Sequence, residues 1–175
     1  METKNEKSTS FASSLRIMRM FNAPRERVWK AWTDPEDIKR WWGPKNFTVP
    51  FAENDFCVEG KYLMAMRSPD GKDFWSTGTY KEIVPMERVK LTDSFADEEG
   101  NVVSASYYGM SGDFPLELPV ELTFEDIVGK TRFTLYYPDL GRMSEKDRND
   151  MEQGWNESFD KLETLLQEPQ IIEAT

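Results

Sequence analysis

The segment SEKDRNDMEQGWNESFDKLETLL, residues 144–166, decides the fold of this chain because it predicts the only large helix. Ser144 and Asp147 form an S-x-x-D capping pair at its start. Pro169 follows its end. Apolar residues recur at intervals of four, four, three and four, which places them on one side of a helix of about six turns: Met151, Trp155, Phe159, Leu162 and Leu166. A helix with one such stripe needs an apolar surface to cover.

Upstream of this helix, seven segments have the two-residue period of strands. They are SSLRIMRMFN, FTVPFAEN, KYLMAMRS, FWSTGTYKEIVP, ERVKLTDSFAD, ELPVELTFEDI and KTRFTLYYP. Turn signals such as PDGK at 69–72 separate neighbouring segments. The short connections predict an antiparallel meander, and the C-terminal helix is expected to cover its apolar face.

Two short helices are predicted after the first strand. The first, in APRERVWKAWTD, begins near Pro24, and the second begins at Pro35 after an Asp34 cap. The second helix ends at Gly43-Pro44, so Trp41 and Trp42 fall in its last turn. Adjacent helical residues point about 100° apart, so we expect one indole to anchor the core. The other is expected at the mouth of a cavity, in an exposed patch, or packed under the following segment.

Residues 13–168 are predicted to form a single domain. Residues 1–12 are polar and predict a disordered tail, and residues 169–175 predict a loose C-terminal tail. The segment 101–115 is rich in Gly, Ser and Tyr and predicts a long loop, a feature that often serves function.

Composition narrows the class of protein. The 175 residues are 38% apolar and 31% charged, which is typical of a soluble globular protein. No apolar run is as long as a membrane span, and the first residues lack the apolar core of a signal peptide, so we expect a cytoplasmic protein. The net charge of −10 argues against nucleic-acid and membrane partners.

The absence of histidine narrows the chemistry further. With no histidine and one cysteine, the chain has no Ser-His-Asp or Cys-His site, no internal disulfide and none of the usual zinc ligand sets. We therefore assign no catalytic residue, no metal and no cofactor.

Four segments, taken in order, resemble a known family: APRERVWKAWTDPEDIKRWWGP, GTYKEIVPMERVKLT, VELTFEDIVGKTRFTL and GWNESFDKLETLL. The chain resembles the homologue-like family named for the activator of the ninety-kilodalton heat-shock protein's ATPase, within the SRPBCC superfamily of START-like and birch-pollen-allergen-like proteins. The resemblance runs from about Leu15 to Gln167. Many relatives carry paired glycines where this chain has Glu59-Gly60, a difference that concerns one turn.

The resemblance implies an α+β helix-grip fold, in which a curved antiparallel sheet of six to seven strands wraps around a long C-terminal helix. Two short helices follow the first strand. It also implies a chaperone partner. The eukaryotic activators carry an additional large N-terminal domain, whereas about a dozen polar residues precede the resemblance here, so the namesake activity is not transferred on the name alone.

Alternation along the strands predicts an aromatic-rich interior, which is either a filled core or a ligand cavity. Several methionines favour the cavity, because methionine adapts to varied apolar guests. Asp93 falls on the apolar face of its strand. It is either bonded to a nearby Arg, Tyr or Trp or serves as a polar anchor or acid/base group. The candidate cavity residues are Trp42, Met64, Met66, Trp75, Tyr80, Asp93, Phe95, Tyr108, Met110, Phe133, Leu135, Trp155 and Phe159.

Three functions follow from these observations. The leading hypothesis is a non-enzymatic module that holds a small hydrophobic or aromatic molecule between sheet and helix, with Tyr107, Tyr108 and Met110 on a loop that controls access. The second is a protein-partner module that stimulates a chaperone ATPase. The third is a cyclase- or hydrolase-like enzyme that uses cavity carboxylates, as some superfamily relatives do. The lack of histidine counts against the third.

Overall fold

The sheet contains the seven strands that the sequence predicts. A computed structural model describes residues 13–110 and 112–169 of the chain. The strands are β1 (Leu15–Phe21), β2 (Thr48–Asn54), β3 (Lys61–Arg67), β4 (Asp73–Val84), β5 (Arg88–Ala96), β6 (Leu118–Ile127) and β7 (Lys130–Tyr137).

All neighbouring strands pair antiparallel, in the order β1-β7-β6-β5-β4-β3-β2. Strands β2 to β7 form the predicted meander. The first strand joins at the far side, where Leu15 lies opposite Tyr137 and Phe21 opposite Thr131. The sheet curls around one long helix, so the predicted α+β helix-grip fold is confirmed.

Three α-helices complete the fold: α1 (Arg25–Thr33), α2 (Pro35–Trp41) and α3 (Glu145–Leu166). The Asp34 side chain accepts a hydrogen bond from the Glu36 amide and caps α2. The Ser144 hydroxyl oxygen accepts one from the Asp147 amide at 3.1 Å, which confirms the predicted N-cap of α3. The apolar stripe of α3 faces the sheet, although Leu165 rather than Leu166 is its buried last member.

The segment 101–115 is less irregular than predicted, because a short 3-10 helix (Ala105–Tyr108) interrupts it. Residues 1–12 and 170–175, for which the sequence predicts tails, lie outside the described residues. The turn that precedes β3 retains its shape without paired glycines: Glu59 adopts a φ of +67°, in the left-handed region that glycine favours.

A close approach between β4 and β5 positions one part of the interior. A Cβ atom on Gly78 would lie 1.9 Å from the Thr92 carbonyl oxygen and 2.5 Å from Cε1 of Tyr62. Only glycine fits there. Just beyond this point the β4–β5 register shifts between Tyr80 and Glu82. The glycine therefore lets the Tyr62 ring lie flat against the sheet beside the residues described next.

Candidate ligand-binding cavity

One end of the space between sheet and α3 is closed by aromatic rings; we call these residues (Phe21, Trp32, Trp41, Phe133 and Phe159) the filled end. The Trp32 ring stacks on Phe133 with centroids 4.9 Å apart and meets Trp41 edge-on at 4.7 Å. Trp41 is fully buried, and its indole N–H donates to the Ala31 carbonyl oxygen at 2.8 Å. Trp41 is therefore the core anchor expected of one of the two tandem tryptophans.

The other end of the same space contains a cavity of about 270 Å³, here called the outer cavity. It lies between the N-terminal half of α3, strands β3 to β5 and the loop that precedes β6. Its lining includes three methionines and seven aromatic residues. The lining residues are Trp42, Gly43, Pro44, Met66, Phe74, Trp75, Ser76, Asp93, Ser94, Phe95, Met110, Phe114, Leu118, Tyr137, Asp147, Asp150, Met151, Gly154, Trp155 and Ser158.

A second space, the inner cavity, measures only about 40 Å³. This volume suits a few water-sized groups rather than an organic ligand. Trp42, Asp93, Tyr137 and Trp155 line both cavities and therefore lie between them. Trp42, the second tandem tryptophan, thus reaches the cavity boundary while Trp41 faces the core.

A hydrogen-bonded network joins the residues at this boundary. The Tyr62 hydroxyl donates to Asp93 Oδ1 at 2.8 Å, and the Tyr137 hydroxyl donates to Asp93 Oδ2 at 3.3 Å. The Trp155 indole N–H donates to the Tyr137 oxygen at 3.0 Å. Asp93 is thus bonded to tyrosines, one of the arrangements that the sequence left open.

Burial sets the protonation of this network. Desolvation raises the pKa of Asp93, although the hydrogen bonds from Tyr62 and Tyr137 partly oppose that rise. Desolvation and the neighbouring carboxylate raise the pKa of Tyr62 and of Tyr137 well above the usual range. Both phenols therefore stay protonated and act as donors at neutral pH. Among the described residues, the hydrogen-bond partners of the Asp93 carboxylate are these two phenols.

Two further polar groups on the sheet have structural partners. The Tyr80 hydroxyl donates to Asn54 Oδ1 at 2.6 Å, and the Asn54 amide donates to the Thr33 carbonyl oxygen at 2.9 Å. This chain ties β4 through β2 to the end of α1 beside the inner cavity. Glu82 pairs with Arg88 at 2.9 Å on the surface and lines neither cavity.

Carboxylates also enter the outer cavity from α3. Asp147 Oδ2 is buried and has no hydrogen-bond partner. Asp150, one helical turn further on, forms an exposed ion pair with Lys146 at 2.8 Å. Sequence analysis treated Asp147 only as a helix cap. The apolar spacing of Met151 and Trp155 would have placed Asp147 on the cavity face as well, since all three recur every four residues.

The loop that precedes β6 is fixed to the sheet by Tyr108. Its hydroxyl donates to the Ala96 carbonyl oxygen and accepts from the Trp75 amide at 3.0 Å. Tyr108 is buried beneath the loop and lines neither cavity, whereas Met110 lines the outer cavity and Tyr107 is 62% exposed. Control of access by these residues stays a prediction.

The structure divides the thirteen predicted cavity residues into four groups. Met66, Trp75, Phe95 and Met110 line the outer cavity, and Met64, Tyr80 and Leu135 line the inner one. Trp42, Asp93 and Trp155 line both. Tyr108, Phe133 and Phe159 line neither. Sequence reasoning did not assign Tyr62 or Tyr137 to the site. The two-residue spacing of Tyr62 from Met64, and of Tyr137 from Leu135, marks the shared inward face in both cases.

The described part of the chain shows no group of three or more His, Cys, Asp or Glu side chains placed to hold a metal ion. Likewise, none of the described helices has the length and apolar character needed to cross a membrane.

Comparison with known proteins places these features in context. The sequence model of the family described as "Activator of Hsp90 ATPase homolog 1-like protein" matches residues 22–167. No curated protein matches the sequence significantly.

Solved structures with the same fold come from several bacteria. A protein from Arthrobacter aurescens is 28% identical with a TM-score of 0.73, over 90% of this chain and 88% of that one. A protein from Chromobacterium violaceum is 24% identical with a TM-score of 0.73, over 90% and 99%. The AHSA1 protein from Silicibacter pomeroyi is 23% identical with a TM-score of 0.69, over 88% and 97%.

Proposed function

The chain belongs to the activator of Hsp90 ATPase homolog 1-like family, and on that premise we propose that it is a non-enzymatic module that binds a small hydrophobic or aromatic molecule in the outer cavity. The observation that carries the proposal is the cavity of about 270 Å³ between α3 and strands β3 to β5. Small-molecule sites typically measure about 300–1,000 Å³, so this cavity suits a compact ligand of one or two rings.

The lining supports an apolar guest. Aromatic rings supply large contact areas with little loss of conformational entropy, and the methionines Met66, Met110 and Met151 adapt to the shape of a guest. The boundary network, in contrast, has few free hydrogen-bonding groups, because Asp93 and both tyrosines are already bonded to one another. These features suit binding rather than turnover.

The proposal is tested with 1-naphthalenemethanol, a neutral two-ring probe, in an NMR titration of the indole N–H signals. We expect saturable shifts at Trp42, Trp75 and Trp155, which line the outer cavity. The signals of Trp29 and Trp41 should stay still, because neither lines it. A folded spectrum without saturable shifts would exclude binding of this class of ligand.

A substitution that fills part of the outer cavity tests whether the probe binds there. The Cβ of a residue at position 154 would lie 3.5 Å from Pro44 Cγ, on the cavity wall. Gly154→Leu should therefore fill part of the outer cavity and abolish the shifts without loss of fold. Gln153→Leu is the matched control, because Gln153 is exposed on the same helix. If Gly154→Leu binds the probe as well as the control does, the ligand occupies another place.

The family's description favours a second candidate, stimulation of a chaperone ATPase by direct contact. Its test is the ATPase rate of the source organism's Hsp90 with increasing amounts of this protein. A saturable rise in rate is expected if the candidate holds. An unchanged rate in an assay where the chaperone itself is active would exclude it.

A further inference from the structure

The charges on the wall of the outer cavity all have the same sign. Asp93 comes from β5, and Asp147 and Asp150 come from α3. No lysine or arginine stands among the described residues of the lining. A purely apolar ligand gains nothing from three carboxylates, and a carboxylate oxygen that is kept from water without a partner costs free energy.

Asp147 is the least compensated of the three. Its Oδ2 atom is buried without a hydrogen-bond partner, while its backbone amide is used by Ser144. Most buried polar atoms in proteins have a partner. An acceptor without a partner in a residue that lines the cavity is suited to a donor that the ligand supplies once the carboxylate turns toward it.

The rings of the cavity favour the same kind of ligand. Trp42 and Trp155 meet edge-to-face with centroids 5.0 Å apart, and Phe95 lies beside Phe114 at 5.4 Å. The face of an aromatic ring carries negative electrostatic potential and attracts ammonium groups, most strongly at tryptophan. Rings and carboxylates thus select for positive charge together.

Nearby positive groups offset this field only in part. The Lys72 ammonium lies 5.0 Å from the ring centroid of the lining residue Phe74 and donates to the Tyr108 carbonyl oxygen. Lys146 is paired with Asp150 and is 83% exposed. The Lys161 ammonium donates to the carbonyl oxygens of Trp42, Pro44 and Phe47, behind the cavity wall. The N-terminus of α3 contributes the equivalent of about +0.5 charge, less than one carboxylate. The chain's net charge of −10 adds in the same direction.

We infer that the ligand of the outer cavity is a hydrophobic cation, such as an arylalkyl amine, whose apolar part lies among the rings and whose ammonium group donates to Asp147. The inference rests on the proposed function and narrows its ligand class. Asp93 contributes negative charge at the inner wall, and Asp150 contributes at the mouth.

Three probes of nearly equal shape separate this inference from the proposal on which it rests. They are 1-naphthylmethylamine, a cation at pH 7; 1-naphthalenemethanol, which is neutral; and 1-naphthoate, an anion. Binding is measured by indole NMR shifts in low salt. We expect the amine to bind about tenfold more tightly than the alcohol and the anion to bind most weakly.

Each pattern of binding has one meaning. If none of the probes binds, the proposed function fails, and the inference fails with it. If the alcohol or the anion binds as tightly as the amine, the cavity binds ligands but does not select cations, and only the inference is overturned. Because screening weakens charge interactions, the preference for the amine should also shrink when salt is raised to 0.5 M.

Single substitutions test which carboxylate causes the preference for the amine over the alcohol. Asp147→Asn should weaken binding of the amine much more than binding of the alcohol, and so remove most of the tenfold preference. Asp150→Asn should reduce the preference less, because Lys146 already neutralises part of that charge. Glu163→Gln removes one negative charge from α3 far from the cavity and serves as the matched control. If Asp147→Asn lowers the preference no more than Glu163→Gln does, the assignment to Asp147 is overturned. Should Asp147→Asn unfold, the salt dependence still tests the inference, because a preference for the amine that does not shrink in 0.5 M salt would overturn it.

Discussion

Aromatic side chains surround both the filled end and the outer cavity, and both regions adjoin α3. The filled end is nevertheless close-packed, whereas the outer cavity is open. Phe159 lies about three helical turns from Asp147 on α3 and is fully buried against several aromatic rings and the Arg19 guanidinium. Around Asp147, rings of similar size surround about 270 Å³ of space. Aromatic content therefore does not decide whether this part of the interior is filled or open.

What differs is the set of elements that face α3 at each end. The main contacts of α3 are with α1, α2 and β1. Trp41 enters from that side and helps to close the space at the filled end. Toward β3, β4 and β5 the curled sheet moves away from the helix, and the loop carrying Tyr108 and Met110 provides the cover. Helix α3 therefore packs closely against β1, α1 and α2, and a gap separates it from β3 to β5.

The largest expected effect comes from truncation at the filled end. Phe159→Ala should lower the free energy of unfolding by about 3–5 kcal/mol, since Phe133, Trp41 and Trp155 cannot all move to fill the void. Urea denaturation followed by tryptophan fluorescence measures the loss. A loss below about 1 kcal/mol would mean that the filled end is also loosely packed, and would contradict the proposed difference in packing between the two ends.

Adding a methyl group at Gly78 should displace the hydrogen-bonded network that lies between the two cavities. Gly78→Ala should destabilise the fold by about 1–3 kcal/mol, because the new methyl group meets the Thr92 carbonyl oxygen and the Tyr62 ring. Displacement of Tyr62 should also shift the Trp155 indole signal through Asp93 and Tyr137. Gly112→Ala is the control, since nothing lies within 4 Å of that site. Equal stabilities for the two variants would show that Gly78 does not position the network.

The sequence predicts the fold well because its signals are local. The alternation in KTRFTLYY places Thr131, Phe133, Leu135 and Tyr137 inward, and all four are buried. The capping pair of α3 also forms as predicted. Periodicity reports the direction of a side chain, and direction is what fixes strand faces and the stripe of a helix.

The extent of the cavity could not be predicted in the same way. Phe159 and Trp155 both point inward, but only Trp155 reaches open space, because the distance to the opposite wall depends on how the sheet curls. The register shift after Gly78 and the anchoring of Tyr108 set that distance, and neither has a periodic signal. Asp147 shows a second limit of sequence-based prediction. The capping pattern with Ser144 accounts for an aspartate at this position, so the sequence gives no sign that one of its oxygens is buried without a partner.

A pH dependence tests the boundary network. The pKa of Asp93 is raised in the folded chain, so its ionisation costs stability as pH rises from about 3.9, the usual value for Asp, through the folded pKa. Asp93→Asn lacks this cost while keeping an oxygen that accepts from Tyr62. We therefore expect the variant to gain stability relative to the native chain between pH 4.5 and 7.5, measured by urea denaturation, with each unit of pKa difference worth about 1.4 kcal/mol.

Asp97→Asn is the matched control for that experiment. Hydrogen bonds from Asn101 lower the pKa of Asp97, so its contribution is lost only as pH falls below about 4. Its difference from the native chain should stay flat between pH 4.5 and 7.5. A flat profile for Asp93→Asn as well would indicate that the Asp93 carboxylate is hydrated from the outer cavity.

The smallest effect is expected from truncation of a phenylalanine at the open end. Phe114 is half-buried, lines the outer cavity and contacts Phe95. Phe114→Ala should cost less than about 1 kcal/mol, because it widens a space that already exists instead of creating a void in a close-packed region. The same urea denaturation that measures Phe159→Ala provides the direct comparison, and the removed side chain is identical. A loss close to that of Phe159→Ala would mean that the loop closes onto the cavity in solution and that both ends are filled. A small loss, together with weaker binding of 1-naphthalenemethanol, would show that the difference between the two ends lies in how far the sheet stands from the helix.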